Sequence, residues 1–158
     1  MLMQRTVVGE PEKIFVVAKN SYSTAALTNG QAVIWDYATD ADGLGVTKPT
    51  SGEARNGHFG IAFAGIASQT IAAGDYGLIQ VYGYHSATRV RTQTGTNPAI
   101  TAGTGLVCKA AIFALESGNA NAAATSTITV HNWQWAGIAL AAQASFTTKA
   151  IAVFIKAM

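Results

Sequence analysis

Ala64-Gly65-Ile66-Ala67, running on to Ile79-Gln80-Val81-Tyr82, returns seventy-two residues later as Ala136-Gly137-Ile138-Ala139, running on to Ile151-Ala152-Val153-Phe154. The two stretches superpose without a gap. Each reads as strand, turn, strand: a short Gly/Ala-rich apolar piece, a polar connector, then residues alternating with the period of a half-buried β-strand. Two copies are too few for a solenoid, so residues 64–85 and 136–157 are expected to form a pair of similar hairpin units within one domain.

Strand signals continue outward from this repeat. Lys13 to Ala18 is β-branched and aromatic. Asn29-Gly30 is a turn signal directly before the apolar run Gln31 to Asp36. Ala72 to Gly77 reads as a turn into the strand Leu78 to His85, where Ile79 and Val81 point one way and Gln80, Tyr82 and Tyr84 the other. A Gly/Thr-rich piece, Thr92 to Gly105, precedes a strand expected over Leu106 to Leu115. A polar loop from Ser117 to Ala124 and a strand from Ser126 to Trp135 follow. From Tyr37 to Gly57 the chain is rich in Asp, Gly, Thr, Pro and Ser without periodicity, and is expected to be a long surface loop. No window carries a sustained 3.6-residue stripe with capping residues. The expectation is an all-β chain, a single-domain antiparallel β-sandwich or barrel-like fold over residues 1–158, with long loops and an N-terminal arm, 1–12.

Composition narrows the function classes. Charged residues make up 11% of the 158, against about 25% in an ordinary soluble domain. A surface so poor in charge is expected to be covered by protein neighbours or lipid. No stretch approaches the roughly 20 continuous apolar residues of a spanning helix, which leaves assembly and sets membrane partners aside. The net charge is +2, and the ten Lys and Arg are scattered from Arg5 to Lys156 with only Arg89 and Arg91 close together. That is no footprint for nucleic acid. One cysteine, Cys108, excludes an internal disulfide, and within Leu106 to Ala110 it reads as a small hydrophobe. Met1 to Arg5 lacks the charged start and apolar run of a signal peptide, so synthesis in a cytoplasm is expected.

Signals for chemistry are weak. Asp36, Asp40, Asp42 and Gly43 hint at calcium, but with Gly43 at the sixth position of an EF-hand loop the first falls on Ala38 and the twelfth on Pro49, and turn formation explains the aspartates better. His58, His85 and His131 are isolated, and no HExxH, CxxC, GxSxG, P-loop or dinucleotide fingerprint occurs. Neither a metal, a cofactor nor catalysis is expected. Trp133 and Trp135 would share one strand face, as would Tyr82 and Tyr84. Such aromatic pairs serve either as a sugar-stacking platform or, more commonly, in a core or subunit interface.

In Asn29 to Asp36, Asp42-Gly43-Leu44-Gly45-Val46, Phe63 to Ala67, Ala73 to Tyr84, Ala136 to Ala139 and Val153 to Lys156, the chain resembles the head-decoration, or capsid cement, proteins of tailed bacteriophages. The resemblance covers most of the chain from residue 29 onward and lies in strands and turns rather than catalytic signatures. It implies a virion protein, made in the host cytoplasm, that binds the outer surface of an assembled capsid and clamps neighbouring capsomers. Its partners would be the major capsid protein and itself, as a homotrimer or a dimer. Low charge suits such contacts, and long loops ordering on binding would be offset by an interface of about 1,200 Å² or more. Multivalent attachment would add about 10² to 10⁴ in avidity. On this reading the N-terminal arm with Pro11 and the long loop with Tyr37, Asp40, Asp42, Lys48 and Arg55 contact the capsid. Tyr82, Tyr84, Trp133, Trp135 and Phe154 fall to an oligomer interface or the core. The alternative is a glycan- or host-binding β module of a virion appendage or tail fibre, using Trp133, Trp135 and the tyrosines.

Overall fold

The computed structural model describes residues 12–40, 42–49, 62–92, 99–108, 111–117, 135–144 and 147–157. Among them there is no helix. Nine strands follow in order: β1 (Lys13–Asn20), β2 (Ala32–Trp35), β3 (Gly45–Thr47), β4 (Phe63–Ala67), β5 (Tyr76–Val90), β6 (Gly105–Cys108), β7 (Leu115–Ser117), β8 (Gly137–Ala139) and β9 (Lys149–Lys156). The fold is all-β, as expected. Most strand pairs are antiparallel, while β1 with β3 and β5 with β7 run parallel, so the sheet is mixed.

The pairing closes on itself twice. The spatial order is β1-β3-β2-β4-β5-β7-β6-β8-β9, and β5 pairs additionally with both β1 and β9. Two circuits of five strands therefore share β5. This strand has 15 residues, roughly 50 Å at about 3.3 Å per residue, long enough to serve both. Its first part, from Tyr76 to Gly83, pairs with β1, and Ile79 and Gln80 pair with β4. Its last part, from Tyr82 to Val90, pairs with β9, and Val90 with Leu115 of β7. Tyr82 and Gly83 have strand partners on both sides. This is the barrel-like alternative of the sequence reading, realised as two fused rings.

Each ring has a core. Ala18, Leu27, Val33, Val46, Ala64, Ala67, Ile71 and Ile79 form the first. The second gathers Val90, Ile100, Leu106, Cys108, Leu115, Ala136, Ala139, Ile151, Val153 and Ile155, joined by Ala32, Ile34, Phe63 and Ile66. Strands β2 and β4 thus alternate between the two: Val33, Ala64 and Ala67 face one core, and their sequence neighbours face the other. That is why Ala32-Val33-Ile34 and Phe63 to Ala67 read as unbroken apolar runs rather than alternating ones, since both faces are buried. Each large aliphatic side chain so buried contributes about 1.5–3 kcal/mol. Cys108 closes β6 as a buried apolar residue.

β4 pairs with β5 and β8 with β9, both antiparallel. The registers differ: Ile66 faces Gln80, whereas its counterpart Ile138 faces Phe154, two residues further along than the counterpart of Gln80. A slip of two leaves every side chain on its original face. The shared glycine has one physical reason in both copies. A Cβ on Gly65 would collide with the carbonyl oxygen of Gln80, and one on Gly137 with that of Phe154.

Two expectations are corrected. The stretch from Tyr37 to Gly57 is not loop throughout, because β3 lies inside it. Gly45 and Val46 pair with Lys19 and Asn20 of β1, while Val46 and Thr47 pair with Trp35 and Ile34 of β2, which closes the first ring and buries Val46 completely. The strand expected over Leu106 to Leu115 is two strands, β6 and β7, paired antiparallel around a turn at Ala111 to Ala114, with Ala111 in the left-handed region (φ 60°). The N-terminal arm and most of the strand expected over Ser126 to Trp135 lie outside the described residues.

Candidate interaction surface

The loop between β2 and β3 is tied down by its aspartates. Thr39 Oγ1 donates to Asp36 Oδ2 at 2.6 Å, and the Asp36 carbonyl accepts from Asp40 N at 3.0 Å. Asp40 is half-buried, and its carboxylate accepts from the backbone N–H groups of Asp42 and Gly45. Both are turn-forming aspartates, and Asp40 satisfies the backbone donor where β3 begins. Among the described residues, no three His, Cys, Asp or Glu side chains gather as metal ligands.

The residues assigned to capsid contact are thereby sorted. Tyr37 is 64% exposed, and Asp42 and Leu44 are exposed beside it. Asp40 faces inward, committed to its own loop. Lys48 is half-buried, with Nζ 5.8 Å from the ring centroid of Tyr22 and 5.9 Å from that of Phe113, two rings in edge-to-face contact at 5.1 Å. Pro11 and Arg55 lie outside the described residues.

The aromatic group falls on the outer face of the second ring. Tyr82 and Phe154 meet edge to face at 5.1 Å, and Tyr84 is directly opposite Phe154. All three are half-buried and belong to neither core. Ile138 continues the row across β8 and is 44% exposed, with Leu140 exposed beyond it. Trp135 is exposed, its ring lying over Gly105, where a side chain would collide with it. Trp133 lies outside the described residues.

A second apolar face, on the first ring, was not singled out from the sequence. Val17 of β1, 63% exposed, stands opposite Leu78 of β5, and Lys19 opposite Tyr76, with Leu44 bonded through its carbonyl to Lys19 N. The available signal was that β1 and the start of β5 are apolar on both faces, although only one face can enter a ring.

Where the rings meet, a cleft of about 260 Å³ is lined by Gln31, Lys48, Arg89, Phe113 and Thr148 together with the turn from Ala111. Nearby, His85 is buried at the irregular point of β5. Burial, and then the charge of Lys13, hold its pKa below the usual histidine value.

No protein-family model matches this sequence, and no curated protein matches it. The structure is similar to the N base of head fiber gp8.5 of bacteriophage phi29, with a TM-score of 0.48 and 10% sequence identity over 92% of this chain and 95% of that chain.

Proposed function

We propose that this chain is a non-enzymatic structural virion protein that binds the outer surface of a phage capsid and stabilises contacts between capsomers. The observation that carries the reading is the pair of separate apolar faces, one on each ring. The first comprises Val17, Leu78, Tyr76 and Leu44, and the second Ile138, Leu140 and the Tyr82–Phe154 row. A clamp has to touch two neighbours at once, and two faces on one rigid strand scaffold allow that. The 11% charge content and the resemblance of the strand and turn motifs to capsid cement proteins support the same reading. The partners are the major capsid protein and further copies of the chain, a homotrimer or dimer serving at local symmetry axes.

The test is quantitative mass spectrometry of purified particles. A copy number equal to that of the main shell protein, or a simple fraction of it, supports decoration. A handful of copies points to an appendage, and absence removes the virion reading.

One observation favours a second reading, a glycan-binding module of an appendage: Trp135 is 44% exposed, with its indole against Gly105. That reading predicts saccharide binding that Trp135→Ala abolishes, with shells equally stable with and without the protein.

A further inference from the structure

The cleft between the rings is lined by hydrogen-bond donors. Gln31 is more than nine-tenths buried, and its Oε1 accepts from Thr28 N at 2.7 Å. That bond fixes which end of the carboxamide is oxygen, because a backbone N–H needs an acceptor. The amide nitrogen makes no hydrogen bond among the described residues, leaving two N–H donors. Arg89 is oriented by a 2.8 Å bond from Nη2 to Thr28 Oγ1, which occupies one of its five donors. The Lys48 ammonium is held in reach by the rings of Tyr22 and Phe113. Among the described residues no carboxylate lines the cleft, and neither Lys48 nor Arg89 forms an ion pair.

We propose that this cleft receives a carboxylate side chain, Asp or Glu, from an acidic segment of the shell protein. Only the identity of the partner rests on the capsid-binding reading. A volume of about 260 Å³ takes one such side chain and a few waters, each water claiming about 30 Å³. Phe113 and the alanines of the β6–β7 turn receive the methylene stem, while Arg89 offers the planar fork that matches a carboxylate. Because Gln31 and Lys48 belong to the first ring, and Arg89 to the part of β5 that pairs with β9 of the second, an occupant would also bridge the two rings.

The experiment is a nuclear magnetic resonance titration of the intact chain with acetyl-tetraglutamate amide, and separately with inorganic phosphate. It is repeated for Gln31→Glu, which keeps an acceptor for Thr28 N but replaces the remaining donors, and for Lys48→Met. The same proteins are then assayed for binding to heads that lack this protein. Expected are saturable, salt-sensitive shifts at the Gln31 side-chain amide and Arg89 Nε–H with the peptide. Each variant should bind peptide and heads about tenfold more weakly at an unchanged melting temperature. Absence of shifts at these groups, shifts that persist in both variants, or shifts with phosphate alone would each overturn the carboxylate site. Peptide binding together with failure of the wild type to bind heads sustains the cleft and removes the capsid reading. Heads bound equally by wild type and Gln31→Glu overturn the shell segment as occupant.

Discussion

The Oδ1 atom of Asn29 lies 3.2 Å from Nε2 of His85, joining the turn before β2 to the irregular point of β5 across 56 residues. On the other side of the ring, Nδ1 is within 3.3 Å of Ala87 N and 3.1 Å of Thr88 Oγ1. A neutral imidazole with its proton on Nε2 satisfies all of these contacts. A second proton would set Nδ1–H against the Ala87 N–H.

This arrangement fixes the sign of a pH effect. Burial and Lys13 lower the His85 pKa in the folded state, so below about pH 6.5 the unfolded chain binds more protons than the folded one. Stability from this group is complete above that pH and is lost as the pH falls toward the lowered folded value. The loss is about 1.4 kcal/mol per unit of separation. Thermal unfolding across pH 4 to 8 should show the decline in the wild type and a shallower one in His85→Gln. Identical slopes would contradict the assignment.

The repeated glycines should differ in cost. Gly65 and Gly137 both face a partner-strand carbonyl, but Gly65 also sits at φ +143°. Both alanine variants should lose about 1–3 kcal/mol through overpacking, and Gly65→Ala about 1 kcal/mol more for its strained backbone. Denaturant midpoints at equal m-values would measure the order; a reversed order would argue against it.

Core and outer-face residues of the same hairpin should separate. Val153 is fully buried in the second core, whereas Ile138 faces outward. Val153→Asp strands a charge in apolar surroundings and should prevent folding, while Val153→Ala should cost about 2 kcal/mol. Ile138→Asp should change stability by about 0.5 kcal/mol or less and weaken association with shells. Circular dichroism melts beside a head-binding assay would read both.

The β2–β3 loop needs finer cuts than a deletion. Removing residues 40–52 takes out β3 and Val46, and should unfold the first ring rather than only abolish binding. Tyr37→Ser should leave the domain folded and reduce head binding. Asp40→Ala frees two backbone donors and should cost about 1–3 kcal/mol. Equal stability of Asp40→Ala and wild type would show that the carboxylate is dispensable to the turn.

What was legible from the sequence follows from how local each signal is. The Asn29-Gly30 turn, the strands around Phe15, Ile79 and Val153, and the repeat itself are set by side-chain alternation and turn chemistry within a few residues. Cys108 in an apolar run is legible for the same reason. β3 was not: Gly45-Val46-Thr47 is three residues long, too short to show a period, and becomes a strand because β1 and β2 leave a gap between them. The break between β6 and β7 was hidden because an apolar composition continues through the Ala111 turn.

The sequence alone determined that the chain is all-β, poor in charge and without a catalytic signature, because these are properties of composition and period. Only the tertiary structure decided that β5 is shared by two rings, that β2 and β4 face a core on each side, and that Gln31, Lys48 and Arg89 meet in one cleft. These depend on which strands pair across long separations, such as Lys13 with Gly83 or Tyr84 with Phe154. Pairing of that kind is selected by burial of whole faces and by backbone closure, neither of which a local pattern records.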